Sequence, residues 1–218
     1  TAPKDTTVMG PEADELMIAW RFDGGKSLQG DTLDVIANIL SNEKAGLMDI
    51  NLAQKMKYLG GGSISFQLAE YGLLGLWASP KEGQSLDDVK KLVLGEVENL
   101  KKGNFSDDLL PAVINNMKLE YYQSLEKNKA RADQFVDAFI NGKEWQTVVE
   151  RLDRISKMTK AQIVAFANKH LNNNYGVVYK RQGEDTTQKK IDKPQITPIP
   201  SNRDLQSDFV KEIIASKT

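Results

Sequence analysis

The side chain with the widest chemical reach in this sequence is His170, and it stands by itself: the chain has 1 His and 0 Cys. A hydrolytic zinc site normally takes two imidazoles and a carboxylate. A serine hydrolase holds its imidazole between a serine and an acid. The count therefore excludes a two-histidine metal centre within these 218 residues, and the lack of thiol excludes disulfides, thiolate ligands and cysteine nucleophiles. His170 lies between Lys169 and Leu171 at the end of an expected helix, where an imidazole serves packing or the helix dipole. Gly60-Gly61-Gly62-Ser63 has the glycines of a phosphate cradle. No Lys-Ser/Thr follows at P-loop spacing, and a strand follows instead of a helix N-terminus, so the run reads as a flexible lead-in to that strand. Gly62-Ser63-Ile64-Ser65 is not a nucleophile elbow, which takes Gly-x-Ser-x-Gly at a strand-to-helix turn. The paired acids Asp87-Asp88 and Asp107-Asp108 fall at expected helix starts, where capping and the macrodipole account for them. Adjacent helical residues do not face one another, so neither pair resembles a glycosidase dyad. Lys189-Lys190 is short and flanked by acids, a solvated surface and not a nucleic-acid patch. Tyr121-Tyr122 reads as packing on a long helix.

The elements that must carry these residues follow from periodicity. Leu16, Ile18, Trp20 and Phe22 alternate along 15–22, the period of a sheet with one buried face. Asp23-Gly24-Gly25 breaks that strand. A helix is expected over 30–40, with Val35, Ile36, Ile39 and Leu40 on its stripe, and a shorter one over 47–57. Two strands follow, 63–68 and 72–78, whose three-residue link predicts antiparallel pairing. Ser85 with Asp88 opens a helix to about residue 102, which Gly103 stops. The next helix runs to about 127. Pro111 allows two readings of it: a start near Leu110, or a kink. Further helices are expected over 131–140, 145–155 and 160–171, the last capped by Thr159, and a final strand over 175–180. Residues 1–14 read as a polar lead-in. Strands and helices do not alternate regularly, which predicts an α+β fold: an antiparallel-rich mixed sheet with helices packed mainly on one face.

This organisation gives a domain over 1–181, a Pro-rich linker over 182–206 with prolines at 194, 198 and 200, and an amphipathic segment over 207–218 that starts a following element. Hydrophobic residues make up 40% and charged residues 27% of the chain, the balance of an ordinary globular protein. The formal net charge of −1 builds no field for nucleic acid or an anionic membrane. No apolar run approaches the ~20 residues of a membrane span. The opening Thr1-Ala2-Pro3-Lys4-Asp5 has neither Met nor a signal core and is expected to be an internal cut from a longer chain. The residues leave the compartment open between periplasm and cytoplasm.

Several strings, in order, resemble the pitrilysin/insulinase family of zinc metallopeptidases. They are Asp34-x-x-Ala37-x-Ile39-Leu40, Pro80-Lys81-Glu82-Gly83-Gln84-Ser85-Leu86, Met158-Thr159-Lys160-x-x-Ile163, and the tail strings 179–184 and 193–199, the tail being most like large bacterial members. Their order and spacing carry the resemblance, which spans roughly residues 8 to 215. It implies one of several similarly folded α+β domains arranged as two halves around a closed chamber. In the family one domain carries His-x-x-Glu-His and a distant Glu, and the zinc there polarises the scissile carbonyl and activates water. That motif is absent here, so the resemblance implies a non-catalytic domain, with zinc in the catalytic domain of the parent and none in this chain. Active members also supply an Arg and a Tyr to the site from a distant domain. Aligned on the segment after the first helix, Asn51 stands where the Arg would be and Tyr58 at the Tyr. The missing Arg favours the domain directly after the catalytic one and leaves Tyr58 as a candidate substrate-binding residue, not a catalytic one.

Three functions follow. The leading one is a domain that packs on the catalytic domain and helps form the peptide-substrate chamber, with the catalytic domain, the second half of the parent and the peptide as partners. An exposed strand edge in such a domain can hold extended peptide by β-addition, with the choice of edge open. The second is a scaffold in a non-proteolytic homologue. The third is a free-standing binding module.

Overall fold

A computed structural model describes residues 2–185, 193–198, 202 and 205–216. The chain divides into two compact units, residues 1–185 and 186–218. The lysines at 189 and 190 lie outside the described residues, as does much of the expected linker.

The first unit is built on five strands, β1 (Lys4–Gly10), β2 (Glu15–Asp23), β3 (Gly60–Gln67), β4 (Tyr71–Ser79) and β5 (Gly176–Gln182), in the order β1-β5-β2-β4-β3. β1 and β5 run parallel; the other pairs are antiparallel. The sheet is thus mixed and antiparallel-rich. β2 shows why it has one core face. Leu16, Ile18, Trp20 and Phe22 are buried, while Met17 between them is 49% exposed. Leu74, Leu76 and Ala78 of β4 continue the buried face. Two helices lie on it: α1 (Gln29–Leu40) packs on β3, and α2 (Leu86–Lys101) on β2 and β4. α2 delivers Val89, Val93, Val97 and Leu100 to the core from one stripe.

α3 (Leu109–Ser124) and α4 (Asn128–Ile140) follow, then α5 (Trp145–Val149), α6 (Arg151–Ser156) and α7 (Lys160–His170). α7 starts with a capping box: Thr159 accepts from the Gln162 N–H, and the Gln162 side chain accepts from the Thr159 N–H. Its far end is tied to β2, because Trp20 Nε1 donates to the Asn172 carbonyl at 2.9 Å. α2 ends as expected at Gly103, whose φ of +69° suits glycine, with the Asn104 N–H returning to the Asn99 carbonyl at 2.9 Å.

Four details differ from the sequence reading. The segment 1–14 is not all lead-in, because Lys4–Gly10 forms β1. Gly60–Gly62 are inside β3 and not a flexible approach to it. The 145–155 helix is two helices with a break at Glu150, whose backbone is the C-cap of one and the N-cap of the other. The expected helix over 47–57 starts at Leu47 but is shorter, helical over 47–53 with Asp49–Ala53 wound as a π-helix. Of the two readings at Pro111, the first holds: α3 begins at Leu109, and Pro111 sits in the first turn, where its missing N–H costs nothing.

In the second unit, α8 (Asp208–Ala215) is capped by Ser207, which accepts from the Val210 N–H at 3.3 Å. Phe209, Ile213 and Ile214 stand exposed along it.

Candidate functional site

His170 resolves toward packing. Its ring lies 4.5 Å from Phe166 and 5.8 Å from Phe22, centroid to centroid. Burial lowers its pKa from the ordinary 6.5 and Lys169 pushes the same way, against a smaller opposing pull from Asp23. The paired acids are helix-start groups. Ser85 Oγ accepts from the Asp88 N–H at 3.1 Å, and its hydroxyl holds the exposed Asp88 carboxyl below its usual range. Asp107 is lowered likewise by Lys160, at 2.7 Å. Tyr121 and Tyr122 pack edge-on against each other, ring centroids 5.7 Å apart, at the surface and not in the core. Tyr122 is 63% exposed, and Tyr121 faces a groove described below.

Tyr58 and Asn51 come close to one polar cluster beneath the 47–59 segment. Asn51 Nδ2 donates to Glu96 Oε2 at 2.8 Å, and Asn99 Nδ2 donates to the same oxygen at 2.9 Å. Asp49 accepts from Ser41 Oγ and from the N–H groups of Asn42 and Gly46 at 2.8 to 2.9 Å, closing the loop after α1. Tyr58 is 3% exposed, and its hydroxyl has no hydrogen-bond partner among the described residues. Burial pushes its pKa from 10.0 up to about 12, with the negative charge of Asp49 and Glu96 adding to the shift.

A network the sequence reading missed joins α1 to α6. Buried Asp31 accepts from Arg151 Nε at 3.2 Å and from Arg154 Nε at 2.9 Å. Asp34 accepts from Arg151 Nη2 at 2.5 Å and from Ser65 Oγ on β3. Ser63 Oγ donates to the Ala37 carbonyl at 2.5 Å. The Asp34-x-x-Ala37 string thus anchors a strand. Its signal in the sequence was the i, i+3 pair of acids on an otherwise apolar helix, but their basic partners lie more than a hundred residues away. Beside this anchor a groove of about 460 Å³ runs between the β3 edge and α3, lined by Asn38, Ser63, Ile64, Met117, Glu120 and Tyr121 among others.

The second open surface is the sheet face away from the helices. Met17, Ile64 and Trp77 are 49%, 51% and 38% exposed there, with Gly75 between them.

Among the described residues, no three His, Cys, Asp or Glu side chains converge so as to hold a metal ion. With Asp31 and Asp34 committed to arginines, the residues present do not fit a catalytic zinc. No helix of the described residues is long and apolar enough to cross a membrane.

No protein-family model matches the sequence, and a search of curated proteins finds no match. Solved structures do match. A protease from Helicobacter pylori superposes with TM-score 0.77 at 17% identity, over 83% of this chain and 44% of that one. A peptidase M16 inactive domain from Pseudomonas fluorescens gives TM-score 0.70 at 15% identity, over 84% of this chain and 44% of that one. A chain of Complex III2 from Candida albicans, solved with Inz-5 bound, gives 0.69 at 12% identity, over 82% and 45%. The chain therefore spans less than half the length of each of the three. These likenesses show the fold: α+β, of the kind found in inactive domains of M16, or pitrilysin-type, peptidases.

Proposed function

We propose that this chain is a non-catalytic domain of a zinc metallopeptidase that packs on the catalytic domain and helps wall the peptide-substrate chamber. The observation that carries this reading is the superposition on an inactive M16 domain by a chain whose one imidazole packs against two phenylalanines. Zinc belongs, in this reading, to the catalytic domain of the parent. The open apolar face around Met17 and Trp77 is the surface that packing on the catalytic domain covers. Contact between Tyr58 and peptide is part of the proposal and requires the 54–59 segment to open, because the ring is buried in the closed arrangement.

The scaffold reading is favoured by one observation, the comparable likeness to a chain of Complex III2 from Candida albicans. A peptidase assay on the intact parent separates the two. Zinc-dependent cleavage of an unfolded peptide, lost when this domain is deleted, is expected. A parent that binds no zinc and cleaves nothing leaves the scaffold.

A further inference from the structure

A surface helix normally buries its apolar stripe, and α4 does the reverse. Ala138 is its one buried residue. On the same side lie the half-buried Ala130 and Gln134, beside a cavity of about 300 Å³ that Tyr121, Asp137 and Lys143 also line. Tyr121 Oη donates to Gln134 Oε1 there at 3.4 Å. Toward solvent α4 presents Phe135, Val136, Phe139 and Ile140, which the helical repeat places on one stripe. All four are exposed, Phe139 at 87%. α5 extends this surface. The Trp145 ring stacks on Phe135 with centroids 4.1 Å apart, and the exposed Val149 follows one turn on.

Area is the first argument for what covers this face. From their exposures, these six residues leave roughly 700 Å² of mostly apolar surface in water. That exceeds the ~300–600 Å² of the largest patch on a typical monomer, and approaches the ~800 Å² that each partner buries in a standard interface.

Charge is the second argument, and it selects the partner. Arg131 stands one turn before Phe135 on the same stripe, and Glu144 directly precedes Trp145. Arg131 donates to the Asn128 side chain, and neither Arg131 nor Glu144 forms an ion pair among the described residues. The apolar stripe is centred between these two charges. A twofold axis through that centre lays α4 antiparallel on α4 of a second copy, and carries Arg131 of each copy toward Glu144 of the other. The patch is therefore self-complementary in shape of charge as well as apolar. The antiparallel arrangement also opposes the two helix dipoles.

We propose that the α4–α5 face is the interface of a symmetric dimer of this chain, with Phe135, Phe139 and Trp145 at its centre and Arg131 and Glu144 paired across its ends. The open sheet face around Met17 is a different surface, so the dimer and the proposed packing on a catalytic domain use different residues.

Sedimentation equilibrium on this chain is the test. A dimer is expected with a Kd of about 10 µM. Phe139→Asp, at an exposed site, should weaken it about tenfold or more with an unchanged far-UV spectrum. Arg131→Glu and Glu144→Arg should each weaken it about threefold to tenfold. The double variant should restore it, because the twofold exchanges the two charges across the interface. Met17→Lys should leave the dimer as it is. A chain that stays monomeric to about 500 µM, whether its α4 face is bare or covered from within, overturns the proposal. So does a dimer broken by Met17→Lys and not by Phe139→Asp, or a double variant that associates no better than the single ones. Should Phe139→Asp fail to fold, the charge exchange carries the test. None of these outcomes bears on zinc-dependent cleavage by the parent, so the two readings fail separately.

Discussion

A buried hydroxyl without a partner is a liability, and Tyr58 carries one. Tyr58→Phe keeps the ring that packs over Gly61 and removes the unsatisfied group. It is expected to stabilise the chain by about 1 kcal/mol at neutral pH, measured by urea unfolding. The sign at high pH follows from the pKa. Because the folded value is raised from 10.0 to about 12, the unfolded chain ionises first, and stability present below pH 10 is lost as pH rises toward 12. The variant should lose less stability over that window. If Tyr58 also meets peptide when its segment opens, the same variant binds peptide more weakly; unchanged affinity confines the residue to the core. His170 has the opposite shift. Its folded pKa is depressed below 6.5, so its contribution holds above that pH and is lost as pH falls. His170→Gln should flatten the melting temperature between about pH 7 and 5. A slope equal to that of the parent chain would assign the acid sensitivity to other groups.

Among the elements, α7 shows how much a short signal can carry. Thr159 and Gln162 complete a reciprocal cap, and Thr159→Ala should cost about 1 kcal/mol by thermal unfolding. A loss near zero would mean that packing alone holds the helix start. The same element illustrates what the residues disclose. Alternation in β2, the stripe of α2 and the caps at Ser85, Thr159 and Ser207 are local patterns, each complete within about ten residues, and each element lies where they place it. β1 has no such pattern. Both of its faces meet solvent, so nothing selects alternate apolar residues, and its strand state comes from pairing with β5 some 170 residues on. The candidate site was hidden for the same reason. Ser63 and Ser65 are ordinary strand residues until α1 supplies their acceptors, and Asp31 is an unremarkable helix acid until α6 brings two arginines. Asp31→Ala should cost about 2 kcal/mol, because it strands the Arg154 guanidinium half-buried and leaves Arg151 with Asp34 alone. Equilibrium unfolding with a loss below about 0.5 kcal/mol would mark the network as surface decoration.

At the scale of the first unit, helices cover one face of the sheet, and the other face carries the exposed Met17, Ile64 and Trp77. Met17→Lys on that open face should alter the stability of the chain by less than about 0.5 kcal/mol, while weakening its association with a catalytic domain in sedimentation measurements. The central proposal is that this chain is a non-catalytic domain, with no hydrolytic centre of its own. It is tested most directly by titrating the chain with zinc in a calorimeter while an unfolded peptide is assayed for cleavage. The account predicts no stoichiometric tight binding and no turnover. Equimolar zinc uptake together with zinc-dependent cleavage would contradict it.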